Sequence, residues 1–295
     1  MSRAAPVVPA DRARYVREMF GAISRRYDFL NHFLSAGLDR RWRRRAAEAC
    51  AEVLATPPLR GETDPRGVAC PRGCMRGHAG GHRAEHAQAS GGLGMPPPAT
   101  ESPATPPTVL DLCAGTGDMA MAVLARMPGA RVIACDFSRF MLQRARLKFE
   151  RARAADRAAG LEADALALPL PDAAVDAVIC AFGLRNLADP VRGLAEMARV
   201  VRLGGPVVLL EFYPPQGRGP LAAVFRLYFR RILPRLGAWI SGGDRGGYQY
   251  LVDSIQAFRT PAELADAMGR AGLEGVSVEP LIGGVAAVFA GRRAR

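Results

Sequence analysis

The chain has 295 residues, 49% hydrophobic and 23% charged, which excludes a wholly disordered polymer and suits one large domain or two small ones. No run of about 18 apolar residues predicts a membrane span, and residues 1–11 lack the apolar core of a secretion signal, so the expected compartment is the cytoplasm. Basic residues number 40 against 28 acidic ones, a net charge of +12 that favours an anionic partner, either nucleic acid or an acidic membrane surface.

Residues 1–56 read as a helical lead. Tyr15, Val16, Met19 and Phe20 recur at helical spacing, a second apolar segment runs from Tyr27 to a stop at Gly37, and a third begins with arginines at 40, 41, 43, 44 and 45 around Trp42. Residues 57–107 are rich in Gly, Pro, Ala, Ser and Thr and nearly devoid of large apolar residues. They predict a disordered insertion. Cys70, Cys74, His78, His82 and His86 lie within it, but the glycines between them oppose the helix that would align them on a zinc ion, and no metal site is expected.

From Thr108 onward strand and helix alternate. Strands are expected at 109–113, 131–135, 160–163, 174–181 and 206–213, with helices at 118–126, 138–153 and 189–201. Asp189 before Pro190 marks a capped helix start. An apolar, arginine-laced lid helix is expected at about 219–241, then a polar, glycine-rich stretch, a helix at 261–271, and two closing strands at 274–280 and 285–290. Central strands this apolar suit a parallel sheet covered on both faces. The rhythm predicts an α/β fold, a doubly wound, mostly parallel seven-stranded sheet with a closing antiparallel strand.

The first strand ends in Asp111-Leu112-Cys113-Ala114-Gly115-Thr116-Gly117-Asp118. Gly115 and Gly117 let backbone pass close to a ligand, and such turns lie where open α/β sheets bind ligands. Asp136 ends the next strand, placed to accept both hydroxyls of a ribose. Position 120 is alanine, so the dinucleotide spacing G-x-G-x-x-G is not met. Asp111 beside the turn would repel a pyrophosphate but not a sulfonium and an α-amino group. The composite favours S-adenosylmethionine, with Asp164 and Ala165 facing the adenine.

The chain resembles the quinone-biosynthesis C-methyltransferases, which act on demethylmenaquinol and the ubiquinone precursor. The resemblance rests on Phe20 to Asn31, Trp42, Asp111 to Asp118, Ala163-Asp164-Ala165, Glu211-Phe212 and Tyr248 to Leu251. Above all it rests on Phe182-Gly183-Leu184-Arg185-Asn186. It implies a class I, Rossmann-like methyltransferase whose donor contacts Thr116, Asp136, Asp164 and Ala165. Ala181 stands where some relatives carry a serine that touches the donor. Arg185 is then expected to stabilise a developing phenolate and Asn186 to orient a ring oxygen, with Tyr27 a third candidate on the acceptor side. The implied acceptor is a polyprenylated quinol, most simply demethylmenaquinol, reached by peripheral contact with an anionic membrane through Arg40 to Arg45 and the 221–240 segment. The ubiquinone precursor is the alternative acceptor. An RNA methyltransferase is more distant, since no appended RNA module, catalytic cysteine motif or base-amine motif is present, and no nucleic-acid partner is expected. A homodimer is left open.

Overall fold

The computed structural model describes residues 37–56, 105–214, 246–281 and 284–294. Tyr27, the first two lead helices, the 219–241 lid and nearly all of the 57–107 insertion lie outside the described residues. The elements below belong to one unit made of residues 1–57 and 106–295.

In chain order they are α1 (Leu38–Ala55), β1 (Thr108–Leu112), α2 (Asp118–Arg126), β2 (Arg131–Asp136), α3 (Arg139–Arg151), β3 (Ala158–Glu162) and β4 (Ala177–Ala181). A short 3-10 turn (Leu184–Asn186) follows, then α4 (Pro190–Val200), β5 (Pro206–Phe212), α5 (Gly246–Ala257), α6 (Pro261–Arg270), β6 (Leu273–Pro280) and β7 (Ala286–Arg293). The seven strands form one sheet in the order β3-β2-β1-β4-β5-β7-β6. Pairs from β3 through β5 are parallel, and β7 runs antiparallel to both β5 and β6.

Alternation along the strands divides the core in two. Val109, Ile179, Val208 and Val288 face a cluster with Trp42 and Ala46 of α1, Val123 of α2 and Phe149 of α3. Leu110, Val178, Leu209 and Phe289 face the opposite cluster with Leu194 and Met197 of α4 and Leu264 and Met268 of α6. Helices on both faces explain why the central strands are apolar throughout. The order reverses beside β1, whose neighbours are β2 on one side and β4 on the other. The crevice at their carboxyl ends is the topological switch point.

Several boundaries depart from expectation. The strand expected from 174 begins at Ala177, although Asp176 N still donates to Thr108 O at 2.9 Å and the Asp176 carboxylate accepts from Thr108 N and Arg202 Nε. Pro107, assigned to the insertion, gives its carbonyl to Arg131 N at 2.9 Å and so belongs to the sheet's margin. The stretch read as polar and glycine-rich contains helix α5. Its signal was Val252 and Ile255, both buried and three residues apart. Asp189 does cap α4, accepting from Val191 N and Arg192 N.

Candidate active site

A cavity of about 140 Å³ opens at the switch point, walled by the ends of β1, β2 and β4 and by the loops that follow them. Of the residues singled out from sequence, Gly115, Asp136, Asp164, Ala165 and Asn186 line it together. Thr116, Gly117, Asp111 and Arg185 are absent from its described wall and stand behind it. Cys113, Phe137 and Phe182 line it as well.

The first wall is the glycine turn. Gly115 and Gly117 both adopt left-handed backbone, at φ 56° and 83°, where a side chain would be strained. Gly117 also faces α3 closely: a Cβ there would meet the Phe149 ring at 2.8 Å. Asp136 fixes the turn from the next strand. One carboxylate oxygen accepts from Gly115 N at 2.8 Å and the other from Ser138 N at 2.9 Å. Each oxygen keeps a further lone pair, so the same side chain can receive a diol across the cavity. Burial raises the Asp136 carboxyl above its usual range, against the two backbone donors.

Asp111 supports this turn from below. It is fully buried under the turn, where one oxygen accepts from Ala120 N at 2.8 Å in the first turn of α2. The other oxygen has no partner among the described residues. Burial pushes this carboxyl up to about 8. Its bond to Ala120 N ties β1 to the first turn of α2, and burial disfavours its charged form.

The second wall is the turn after β4. Phe182 takes left-handed backbone at φ 59°, and Cys113, at the matching end of β1, takes φ 58°. Gly183 is required because a Cβ there would lie 2.3 Å from Cys113 Cβ. Arg185 is 6% exposed. Its Nη1 donates to Phe182 O at 2.6 Å and to Glu211 Oε1 at 2.7 Å, while its backbone N donates to Glu211 Oε2 at 3.2 Å. Asn186 Nδ2 donates to Phe182 O at 3.3 Å, and Tyr250 Oη on α5 donates to Asn186 Oδ1 at 3.4 Å. The turn is therefore held by a buried ion pair on one side and an amide between two partners on the other.

The lead helix docks on this same turn. Trp42 packs edge-on to Phe212 and tilted against Phe182, with centroids 5.9 and 6.4 Å away. Phe182 stacks on Phe212 at 4.4 Å. Arg43 covers Phe182 and Arg185 covers Phe212, each 5.5 Å from the ring centroid. Sequence reading assigned no function to Glu211, Tyr250 or Lys148. The first two lie in motifs that carried the family resemblance, and Lys148 carried only its rarity as a signal.

The geometry fits S-adenosylmethionine. Asp136 suits ribose hydroxyls, Asp164 beside Ala165 suits an adenine edge, and Leu112, Phe137, Met141 and Leu166 supply apolar wall for the rings.

Residues 99–293 match the model of the ubiE/COQ5 methyltransferase family. Curated relatives agree. A Deinococcus radiodurans protein named demethylmenaquinone methyltransferase is 40% identical over 95% of this chain and 93% of its own length. A Thermus thermophilus protein of the same name is 40% identical over 93% of this chain and all of its own length. A Geobacter sulfurreducens protein named ubiquinone/menaquinone biosynthesis C-methyltransferase UbiE is 31% identical over 96% of this chain and 90% of its own. The chain belongs to the ubiE/COQ5 methyltransferase family. It is an enzyme, and its methyl donor is S-adenosylmethionine.

Proposed function

We propose that this enzyme methylates a ring carbon of demethylmenaquinol to give menaquinol. The observation that carries the reading is the pairing of a donor-shaped cavity with the Phe182–Asn186 turn on its acceptor side, in a chain 40% identical to two proteins named for that reaction. Identity is lower, at 31%, to a relative named for both quinones, which favours demethylmenaquinol over the ubiquinone precursor.

When bound, S-adenosylmethionine supplies an electrophilic methyl group. Asp136, Asp164, Ala165 and Gly115 hold the nucleoside end, with Thr116, Gly117 and Asp111 shaping the turn from behind. Asn186 presents its side chain to the cavity and orients a ring oxygen. Arg185 acts through the turn: by holding Phe182 O and Glu211 it sets the wall against which the ring lies. Its cationic field still favours a phenolate nearby, and a quinol hydroxyl is acidic enough to need no strong base. Tyr27 completes the acceptor side in this reading.

A polyprenylated quinol resides in the bilayer, so the enzyme visits an anionic membrane surface. No described helix is long and apolar enough to cross it. The arginine cluster of α1 divides its work. Arg43 is buried on Asp39 and Arg45 is bound to Glu279 and Glu52, whereas Arg40 and Arg41 are exposed and suited to lipid headgroups.

Quinone profiling of a strain lacking the gene tests the acceptor. Accumulation of demethylmenaquinone, reversed by the cloned gene, is the expected result; accumulation of the ubiquinone precursor alone transfers the reading to that acceptor. Flotation with anionic and neutral vesicles, beside an RNA-shift assay, tests the surface. Salt-sensitive binding to anionic vesicles is expected, and RNA binding without vesicle binding overturns the membrane reading.

A further inference from the structure

Of the 40 basic side chains, 39 are arginine, and the exception occupies a particular place. Lys148, in the third turn of α3, extends its ammonium to the glycine turn. Nζ donates to Thr116 Oγ1 at 3.2 Å and pairs with Asp118, the first residue of α2. Its neighbours on α3 press on the same turn, since a Cβ on Gly117 would lie 2.8 Å from the Phe149 ring and 3.1 Å from Ala145 Cβ. One face of α3 thus supports the whole turn from behind the cavity.

We propose that Lys148 is a positioning residue for the donor: held between Thr116 and Asp118, it fixes the Gly115–Gly117 backbone in the shape that receives S-adenosylmethionine. This rests on the donor assignment above. Two glycines in left-handed backbone give the turn wide conformational freedom, which must be given up on binding unless folding has already removed it. Asp136 restrains the turn through Gly115 N from the cavity side. Lys148 restrains it from the opposite side, through a buried hydroxyl and the first carboxylate of the following helix. A single ammonium can address a hydroxyl and a carboxylate from one nitrogen, whereas a guanidinium spreads its donors over a rigid plane. That difference accounts for lysine here in a chain that otherwise uses arginine. The Lys148 and Asp118 side chains are 28% and 20% exposed, and the test separates an effect on stability from one on the ligand. The effect belongs in ligand affinity.

The test compares wild type with Lys148→Met and Lys148→Arg. Amide exchange at 115–118 in ligand-free protein reads the turn directly, and calorimetry with S-adenosylmethionine and S-adenosylhomocysteine reads affinity. Lys148→Met is expected to speed exchange there and weaken both ligands at least fivefold. KM for the donor should rise in step, with kcat reduced less than twofold and the urea midpoint nearly unmoved. Lys148→Arg, which keeps the charge, is expected to recover less than half of the lost affinity. Unchanged exchange and affinity in Lys148→Met overturn the proposal, and so does full recovery by arginine. A fall in affinity matched by a fall in the unfolding midpoint assigns Lys148 a purely structural role and also overturns it. If wild type binds neither ligand the donor assignment fails, while the exchange measurement separately decides whether Lys148 holds the turn.

Discussion

The two walls of the cavity are built by opposite means. The glycine turn after β1 is shaped by left-handed backbone at Gly115 and Gly117 and by carboxylates accepting main-chain N–H groups. The turn after β4 is shaped by side chains: a buried Arg185–Glu211 pair, a stacked Phe182 and Phe212, and a lead helix seated on them. A wall made of backbone suits a donor whose nucleoside presents the same groups in every turnover. A wall made of interlocked side chains can be tuned to a particular ring, at the risk that losing one partner leaves a buried charge.

That contrast predicts the largest effect at Glu211. Glu211→Gln removes the carboxylate charge paired with the buried Arg185 guanidinium, and breaking such a pair costs about 3–5 kcal/mol. Urea unfolding measures it. The double variant Glu211→Leu, Arg185→Met is expected to recover most of the stability, because both charges are gone, yet to remain inactive because Phe182 O keeps only the longer bond from Asn186 Nδ2. Recovery of activity along with stability would show that the pair serves packing alone.

On the backbone-built wall the expected loss is in affinity. Asp136→Ala removes the acceptor for two ribose hydroxyls and frees Gly115 N, so S-adenosylmethionine affinity should fall at least tenfold by calorimetry. Unchanged affinity would mean that the nucleoside lies elsewhere.

Asp111 gives a smaller effect, visible in pH dependence. Its carboxyl is raised to about 8 in the folded chain against 3.8 when unfolded. Between those values the folded state holds the extra proton, so stability falls as pH rises, by at most about 1.4 kcal/mol per pH unit. Below pH 4 the group contributes no slope. Asp111→Asn keeps an acceptor for Ala120 N and should flatten the profile from pH 5 to 8. Parallel profiles for variant and wild type would show Asp111 charged throughout.

What the sequence made legible follows the same division. The glycine turn, Asp136 and the strand rhythm were readable because backbone requirements and burial leave local signatures: glycine where φ is positive, and apolar runs where both faces are covered. The sheet's antiparallel end was readable from two closing strands after the last helix. Helix α5 was missed because Gly246 and Gly247 at its start read as loop, while its helical face rests on only Val252 and Ile255. The sequence motif leads to the expectation that Arg185 stabilises a phenolate, directly or through a bound water, but carries no local sign of what else holds it. Its ion pair with Glu211 joins residues 26 positions apart and depends on β4 and β5 lying side by side. Asp111 shows the same limit, since burial, which raises its carboxyl, is a property of the assembled sheet.

The smallest effect is expected from replacing the 58–104 segment. Residues 58–104 lie between two anchored points. At one end Thr56 caps α1, and its carbonyl accepts from Arg292 Nη2 at 2.8 Å. At the other, Pro107 O accepts from Arg131 N. Each anchor is made to a residue of the sheet, Arg292 of β7 and Arg131 of β2. Closing a shorter loop changes the entropy of closure only slowly, by about 0.6 kcal/mol for each halving of its length. Replacing 58–104 with a linker of about ten Gly and Ser residues therefore shortens the loop by roughly two halvings and should shift stability by about 1 kcal/mol. The melting temperature should move by no more than a few degrees, with S-adenosylmethionine affinity unchanged. Retaining Thr105 to Pro107 is essential to the design. Extending the deletion through Pro107 removes the acceptor for Arg131 N at the start of β2, and is expected to be the less stable of the two variants. Equal stability would show that the Pro107 tie contributes nothing, and a large fall in the shorter deletion would show that residues 58–104 carry structure of their own.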